Sequence, residues 1–269
     1  MVSLKRNSNF EFVEATGLRS RDSSIYKPGQ TSDFKISRSK FSNFLQCPRC
    51  FYMDRVKGVA EPDMPGWSLN ETTDILLKKE FDECREKQIP HRLFSKFGLN
   101  HVVPFKHESM DDWRNSKSKG LIHRFEDTNI LLTGGIDDIW FNTQTEELIV
   151  VDYKSQASEK KVETQSYLDS PYHQDYKVQM DFYNYLLDKL GFKIGDTSYF
   201  LVVNANRLAT GFNGKMEFSE TIIPYHHDIS WVDKAAQNMV NCMNSNNIPE
   251  ANVSCMNCAF VRARSELEL

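Results

Sequence analysis

Residues 129–155 read NILLTGGIDDIWFNTQTEELIVVDYKS. Two apolar runs, 129–142 and 147–155, flank the polar turn Thr143 to Glu146, which is the pattern of a β-hairpin. Within the second run, Leu148, Ile149, Val150 and Val151 follow one another without a polar break, as in a strand buried on both faces. That strand runs on into Asp152, Tyr153 and Lys154. Side chains alternate along a strand, so Asp152 and Lys154 share one face and Tyr153 takes the other. Charge at the end of a buried strand needs a partner or a ligand, because isolated charge is costly there. Asp152 and Lys154 neutralising each other as a structural ion pair is one account.

The hairpin supplies a second account, because it carries Asp137 across from Asp152. Two carboxylates side by side repel unless a cation lies between them, and hard oxygen ligands with open positions suit Mg²⁺ or Mn²⁺. Lys154 could then orient or deprotonate a metal-bound water for attack on a phosphodiester. Asp137 and Asp138 are neighbours and face opposite sides. Asp137 is the preferred ligand, since Gly135 beside it leaves room for a backbone or ligand to come close.

Outward from the hairpin, the pattern predicts helix, helix, hairpin, helix, strand, strand, helix, an α/β fold with a central mixed sheet flanked by helices. Ser37 is the expected N-cap of a first helix with Phe41, Phe44 and Leu45 on one face. Asn70 is the expected cap of a second through TTDILLKKEFDECREK, with Leu77, Phe81 and Cys84 buried and Pro90 ending it. Residues 98–120 carry no clear assignment. A strongly amphipathic helix, QDYKVQMDFYNYLLDKLG, stops at Gly191. Strands TSYFLVVNANR and MEFSETIIPY and a helix through ISWVDKAAQNMVNCMN follow. Residues 1–33 are polar and expected to be disordered, leaving 34–269 as one domain. LLTGGID has no helix after it and is no phosphate-binding loop. His226 and His227 read as capping or hydrogen-bonding groups, and the four tryptophans, Trp67 included, as packing residues.

GGIDDIW with VVDYKSQ resembles the Asp…Asp-X-Lys signature of PD-(D/E)XK nucleases, in the RecB-like branch. The Gln-X-X-X-Tyr of that branch matches Gln179 and Tyr183, one helical turn apart on one face. The resemblance implies the restriction-endonuclease-like core from about Ile36 onward and a metal-dependent DNA nuclease acting on single strands or free ends, usually as an exonuclease. Asp137 and Asp152 would hold Mg²⁺ or Mn²⁺ together with the backbone carbonyl of Tyr153. Lys154 would position the water, and Gln179 and Tyr183 would orient the phosphate backbone or the lysine. The branch often adds a His from the first core helix. DILLKKEFDECR has none: Glu80 is the nearest substitute, and His91 and His101 lie just beyond. DNA repair and recombination use this chemistry.

CPRC (Cys47, Cys50) and CMNC (Cys255, Cys258) are Cys-X-X-Cys pairs, and two such pairs complete a tetrathiolate site for Zn²⁺ or a [4Fe–4S] cluster. CPRCFYMDR resembles the N-terminal cysteine helix of iron–sulfur AddB-type and CRISPR-adaptation exonucleases, which place one cysteine early and three late where this chain places two and two. The implied role is a structural clasp joining the N- and C-terminal segments. Cys84 and Cys242 read as core residues.

The chain has 269 residues, 40% of them hydrophobic, enough for one sizeable core. A net charge of -4 excludes a global basic field, so a nucleic acid would have to meet a local groove. Arg38, Lys40, Arg49 and Arg55, with Phe51 and Tyr52, could line one or could form a solvated helix face. No apolar run spans a membrane, and the start lacks a signal core, so a cytoplasmic location is expected. Two rivals stand beside the nuclease: a nuclease-fold module that binds nucleic acid without cutting, and a zinc-stabilised interaction protein.

Overall fold

The computed structural model describes residues 4–62 and 66–267, so Met1–Ser3 of the segment expected to be disordered lie outside the described residues. Along the chain run β1 (Phe34–Ser37), α1 (Arg38–Gln46), α2 (Pro48–Arg55), α3 (Ser68–Lys87), β2 (Val102–Pro104), α4 (Met110–Arg114), β3 (Leu121–Arg124) and β4 (Ile130–Gly134). These are followed by β5 (Asp138–Asn142), β6 (Glu147–Ala157), α5 (Thr164–Leu168), α6 (Gln174–Lys189), β7 (Thr197–Ala205), β8 (Phe218–His226), α7 (Val232–Asn244) and α8 (Met256–Leu267). The chain folds into two compact units. One comprises Met1–Gly66, Arg124–Leu131 and Asp233–Leu269; the other comprises Trp67–His123 and Leu132–Val232.

The second unit is built on a five-stranded mixed sheet in the order β2-β5-β6-β7-β8. The 143–146 turn folds β5 back on β6 with Asp138 opposite Val151 and Asn142 opposite Glu147. β6 and β7 are parallel, and a parallel pair needs a crossover, which α5 and α6 provide. Leu148 to Tyr153 are all buried, as a strand between two neighbours and under helices requires. α6 is buried from Gln179 to Leu187 on every side, more deeply than an amphipathic pattern predicts. On the other face, Phe81 of α3 stacks on Trp140 at 5.4 Å within a buried apolar cluster, and on His91 at 4.0 Å.

The run 129–142, read as one strand, breaks in two at Gly135–Asp137. A Cβ on Gly135 would stand 2.8 Å from the Cα of Ser116, and Ile136 N–H donates to the Trp113 carbonyl at 3.1 Å. The unassigned 98–120 segment thus supplies β2, α4 and the backbone that holds this break. α3 begins at Ser68, before Asn70. Cys84 is only half-buried, and its face is closed instead by buried Arg85. Trp67 is largely exposed and does not pack as expected.

The first unit gathers α1, α2, α7, α8, β1 and the tip of the β3–β4 hairpin. Phe34 N–H donates to the Asn129 carbonyl at 2.9 Å, and Tyr26 is buried against Phe34 with its hydroxyl donating to Asn244 at 3.0 Å. Helix α8, which carries Cys258, has no counterpart among the sequence expectations. Among the described residues no helix is long and apolar enough to cross a membrane.

Candidate active site

Continuing the β5–β6 register by one residue places Asp137 opposite Asp152. Asp137 Oδ2 accepts the Tyr153 backbone N–H at 2.9 Å, so the break before β5 is tied directly to the Asp-X-Lys segment. Asp152 is fully buried and ion-paired with Lys154. The Lys154 ammonium also donates to Gln179 Oε1 at 3.2 Å and lies 4.4 Å from the centre of the Tyr176 ring. Gln179 Nε2 in turn donates to the Tyr183 hydroxyl oxygen at 3.1 Å. One turn of α6 therefore fixes the lysine through two relayed hydrogen bonds. Gly134 makes this possible: a Cβ there would lie 2.7 Å from Tyr183 Cε1. The buried Tyr167 hydroxyl has no hydrogen-bond partner among the described residues; burial, with the Asp152 charge adding, raises its pKa above the usual phenol range.

The two adjacent aspartates serve different masters. Asp138 is buried and paired with Arg85, with Arg114 at 3.2 Å, and accepts from the Tyr153 hydroxyl at 2.6 Å. Arg114 also donates from Nε to the Asp137 carbonyl at 3.0 Å. Burial works against the charge on Arg114, but Asp138 and Asp82 outweigh it and raise its pKa. Asp137 meets a different set of groups. Its Oδ1 lies 3.6 Å from the Lys78 ammonium, which is also 2.8 Å from Asp74 Oδ2. Burial, with the Asp137 charge adding, raises the Asp74 carboxyl above the ordinary carboxylate range.

Glu80 is not brought to this group. It is exposed and bonds His91 Nε2 at 3.2 Å and Arg92 at 3.0 Å, while Arg92 reaches Glu220 at 2.7 Å. His91 does fold back on α3, but onto Phe81 and Glu80; burial lowers its pKa. His101 sits beside Thr143, at the opposite end of β5 from Asp137. The carboxylate that α3 turns toward Asp137 is Asp74. It lies at i, i+3 and i+7 with Leu77 and Phe81, and this spacing is the signal that could have found it. Asp74 and Asp137 already share one cation, Lys78, so the donor set fits a hard divalent ion.

In the first unit the four cysteines come together. Their sulfurs lie within 4.8 Å of one another, with Cys50 at 3.4 Å from Cys258 and 3.5 Å from Cys255 and Cys47 at 3.8 Å from Cys258. Both pairs stand at helix starts: Cys47 caps α2 and Cys255 immediately precedes α8. Burial pushes the Cys47 thiol up, but the backbone amides of Cys50 and Asn252 turned toward it bring it down to about 7. A tetrahedral ion with bonds of about 2.3 Å sets its sulfurs about 3.8 Å apart. The spacing matches a single ion more closely than a four-iron cluster, in which each thiolate binds a different iron. Cys242 is half-buried.

The nearby basic residues are not an open groove. Lys40 lies 2.7 Å and Arg55 3.0 Å from buried Asp54, which Arg19 also pairs. Phe51, Tyr52 and Arg55 are buried, so none of the three can stack on or reach a base, while Arg49 is exposed and Arg38 half-buried.

A crystal structure from Eubacterium rectale, described as a "putative exonuclease", aligns with 84% of this chain and 87% of its own at 12% identity and a TM-score of 0.40. No curated protein matches significantly. The family model of the PD-(D/E)XK nuclease superfamily matches residues 67–263, nearly three quarters of the sequence, and the chain belongs to that superfamily.

Proposed function

We propose that this protein is a metal-dependent DNA nuclease of the RecB-like branch, acting as an exonuclease on single strands or free ends. Residues 34–269 would work as one nuclease domain. The observation that carries the reading is the relay Tyr183–Gln179–Lys154–Asp152 set opposite Asp137 at the break before β5. An ion pair serving stability alone would not need its lysine steered by two further buried polar side chains.

In this reading Asp137, Asp152 and the Tyr153 carbonyl hold Mg²⁺ or Mn²⁺, with Asp74 taking the place assigned from sequence to Glu80. When bound, such an ion lowers the pKa of a water and offsets charge on the phosphate. Lys154 holds its nitrogen beside Asp152 and Gln179, where it would orient the attacking water and could accept that water's proton only in its neutral form. Gln179 restrains that ammonium through its Oε1, and Tyr183 restrains Gln179. Arg114 and Tyr153 fix the Asp137 backbone and carboxylate. The cysteine group would hold zinc, the ion its sulfur spacing favours, and join α2 to α8 as a structural clasp. A cytoplasmic setting, where thiols are kept reduced, belongs to this reading.

The test is cleavage of end-labelled single- and double-stranded DNA with Mg²⁺ or Mn²⁺, with Asp152→Ala and Lys154→Ala beside the wild type. Activity in the wild type that both substitutions abolish supports the reading. Wild-type inertness on DNA refutes the activity, and full activity in the variants refutes the residue roles. Brown colour in the purified protein would reassign the cysteines to an iron–sulfur cluster.

A further inference from the structure

The α3 lysine is not explained by the mechanism above. Lys78 follows Asp74 by one helical turn, and its ammonium lies 2.8 Å from Asp74 Oδ2 and 3.6 Å from Asp137 Oδ1. Its side chain is largely covered. A lysine on a helix surface can turn to solvent without cost, yet this one points inward between two carboxylates from different elements. Two such carboxylates repel without a cation between them, and the ammonium supplies that charge. It is also a strongly hydrated point charge on a flexible stem, easily moved.

We infer that Lys78 is a built-in counter-ion that a divalent metal must displace from Asp74 and Asp137, so that this residue sets the metal concentration at which the site fills. The inference rests on the reading of Asp137 and Asp74 as ligands. An ion entering between the two carboxylates meets the ammonium as a like charge competing for the same oxygens. Lys78 then swings outward on its own stem, while Lys154, held by Gln179 and Asp152, stays in place. The two lysines therefore differ in kind: one is anchored by α6, the other is exchangeable.

The experiment is calorimetric titration of the full-length protein with Mn²⁺, supported by electron paramagnetic resonance of the free ion. The proteins compared are the wild type, Lys78→Met, Lys78→Gln, Lys78→Arg and Asp137→Asn. Lys78→Met and Lys78→Gln are expected to bind Mn²⁺ about tenfold more tightly, roughly 1.4 kcal/mol, with Lys78→Arg close to the wild type. Unchanged or weaker binding in both neutral variants overturns the inference while leaving the site reading intact. Absence of Asp137-dependent Mn²⁺ binding in the wild type overturns both. Two neutral variants of different shape separate loss of charge from local unfolding, which circular dichroism checks in each.

Discussion

Asp137→Asn and Asp138→Asn make the same chemical change at adjacent residues and should have opposite consequences. Asp138 is 0% exposed, and the Arg85 and Arg114 side chains that bind it are 6% and 10% exposed. Removing one partner of a buried pair costs about 3–5 kcal/mol, because the surviving charge is left uncompensated. Here Asp82 still lies 3.1 Å from Arg85 and 2.9 Å from Arg114, and an asparagine oxygen can still accept from Tyr153. The lower end, about 3 kcal/mol, is therefore expected, or a Tm lowered by about 6–12 °C for a chain of this size. Asp137 is 26% exposed, its ion pair with Lys78 is 3.6 Å long, and asparagine keeps an acceptor for the Tyr153 N–H. Its loss should cost about 0.5 kcal/mol. Calorimetry with a cleavage assay well below the lower Tm decides the matter. Asp138→Asn should melt early and still cut; Asp137→Asn should melt like the wild type and not cut. Equal melting of the two variants, or the reverse order, refutes the division of labour between them.

Gly134→Ala places a methyl against the buried Tyr183 ring and should cost about 1–3 kcal/mol, with cleavage reduced although every polar residue of the relay is intact; wild-type melting and rate together would contradict the contact. His91 is held below the usual histidine range by burial, so the unfolded chain takes up its proton first as pH falls. The stability this gives is complete above about pH 6.5 and is lost as pH drops through the lower folded value. Urea midpoints at several pH values should show a smaller acid-side loss in His91→Phe, with His227 present in both proteins. Cys258→Ser should abolish stoichiometric structural metal by elemental analysis and lower the melting temperature; full metal retention would show that the four sulfurs do not act together.

The legible parts were those where one local rule fixes one answer. The β5–β6 hairpin followed from a polar turn between two apolar runs, and the shared face of Asp152 and Lys154 followed from strand alternation. The two Cys-X-X-Cys pairs announced a common site because three-residue spacing at a helix start turns both sulfurs one way. What was not legible depends on contacts distant in sequence. Gly135 signals a close approach of backbone, but not that the 129–142 run must break there, because the partner is the backbone of Ser116, distant in sequence. Gln179 and Tyr183 lie within the core, because α6 is buried on all sides where the sheet and the Gly134 strand pack against it, which an amphipathic pattern does not announce. Glu80 stands in the helix where a His is expected, but a helix face is defined by i, i+3 and i+7, and with Leu77 and Phe81 that spacing selects Asp74.

The alternation of β6 also accounts for how a charged site and a buried charge network coexist on neighbouring residues. Asp152 and Lys154 project to the α6 side, where Gln179 and Tyr176 meet the lysine. Tyr153 projects to the α3 side, packs against Phe81 at 5.6 Å and donates its hydroxyl to Asp138. Its peptide N–H, in the plane between them, holds Asp137. The residue between the acid and the lysine is thus a fastener: its side chain fixes one aspartate and its backbone the other. A small side chain there would take from Asp138 the hydroxyl donor it accepts and leave a cavity beside Phe81. The precision of the proposed site on one face of the strand therefore depends on packing and charge satisfaction on the other.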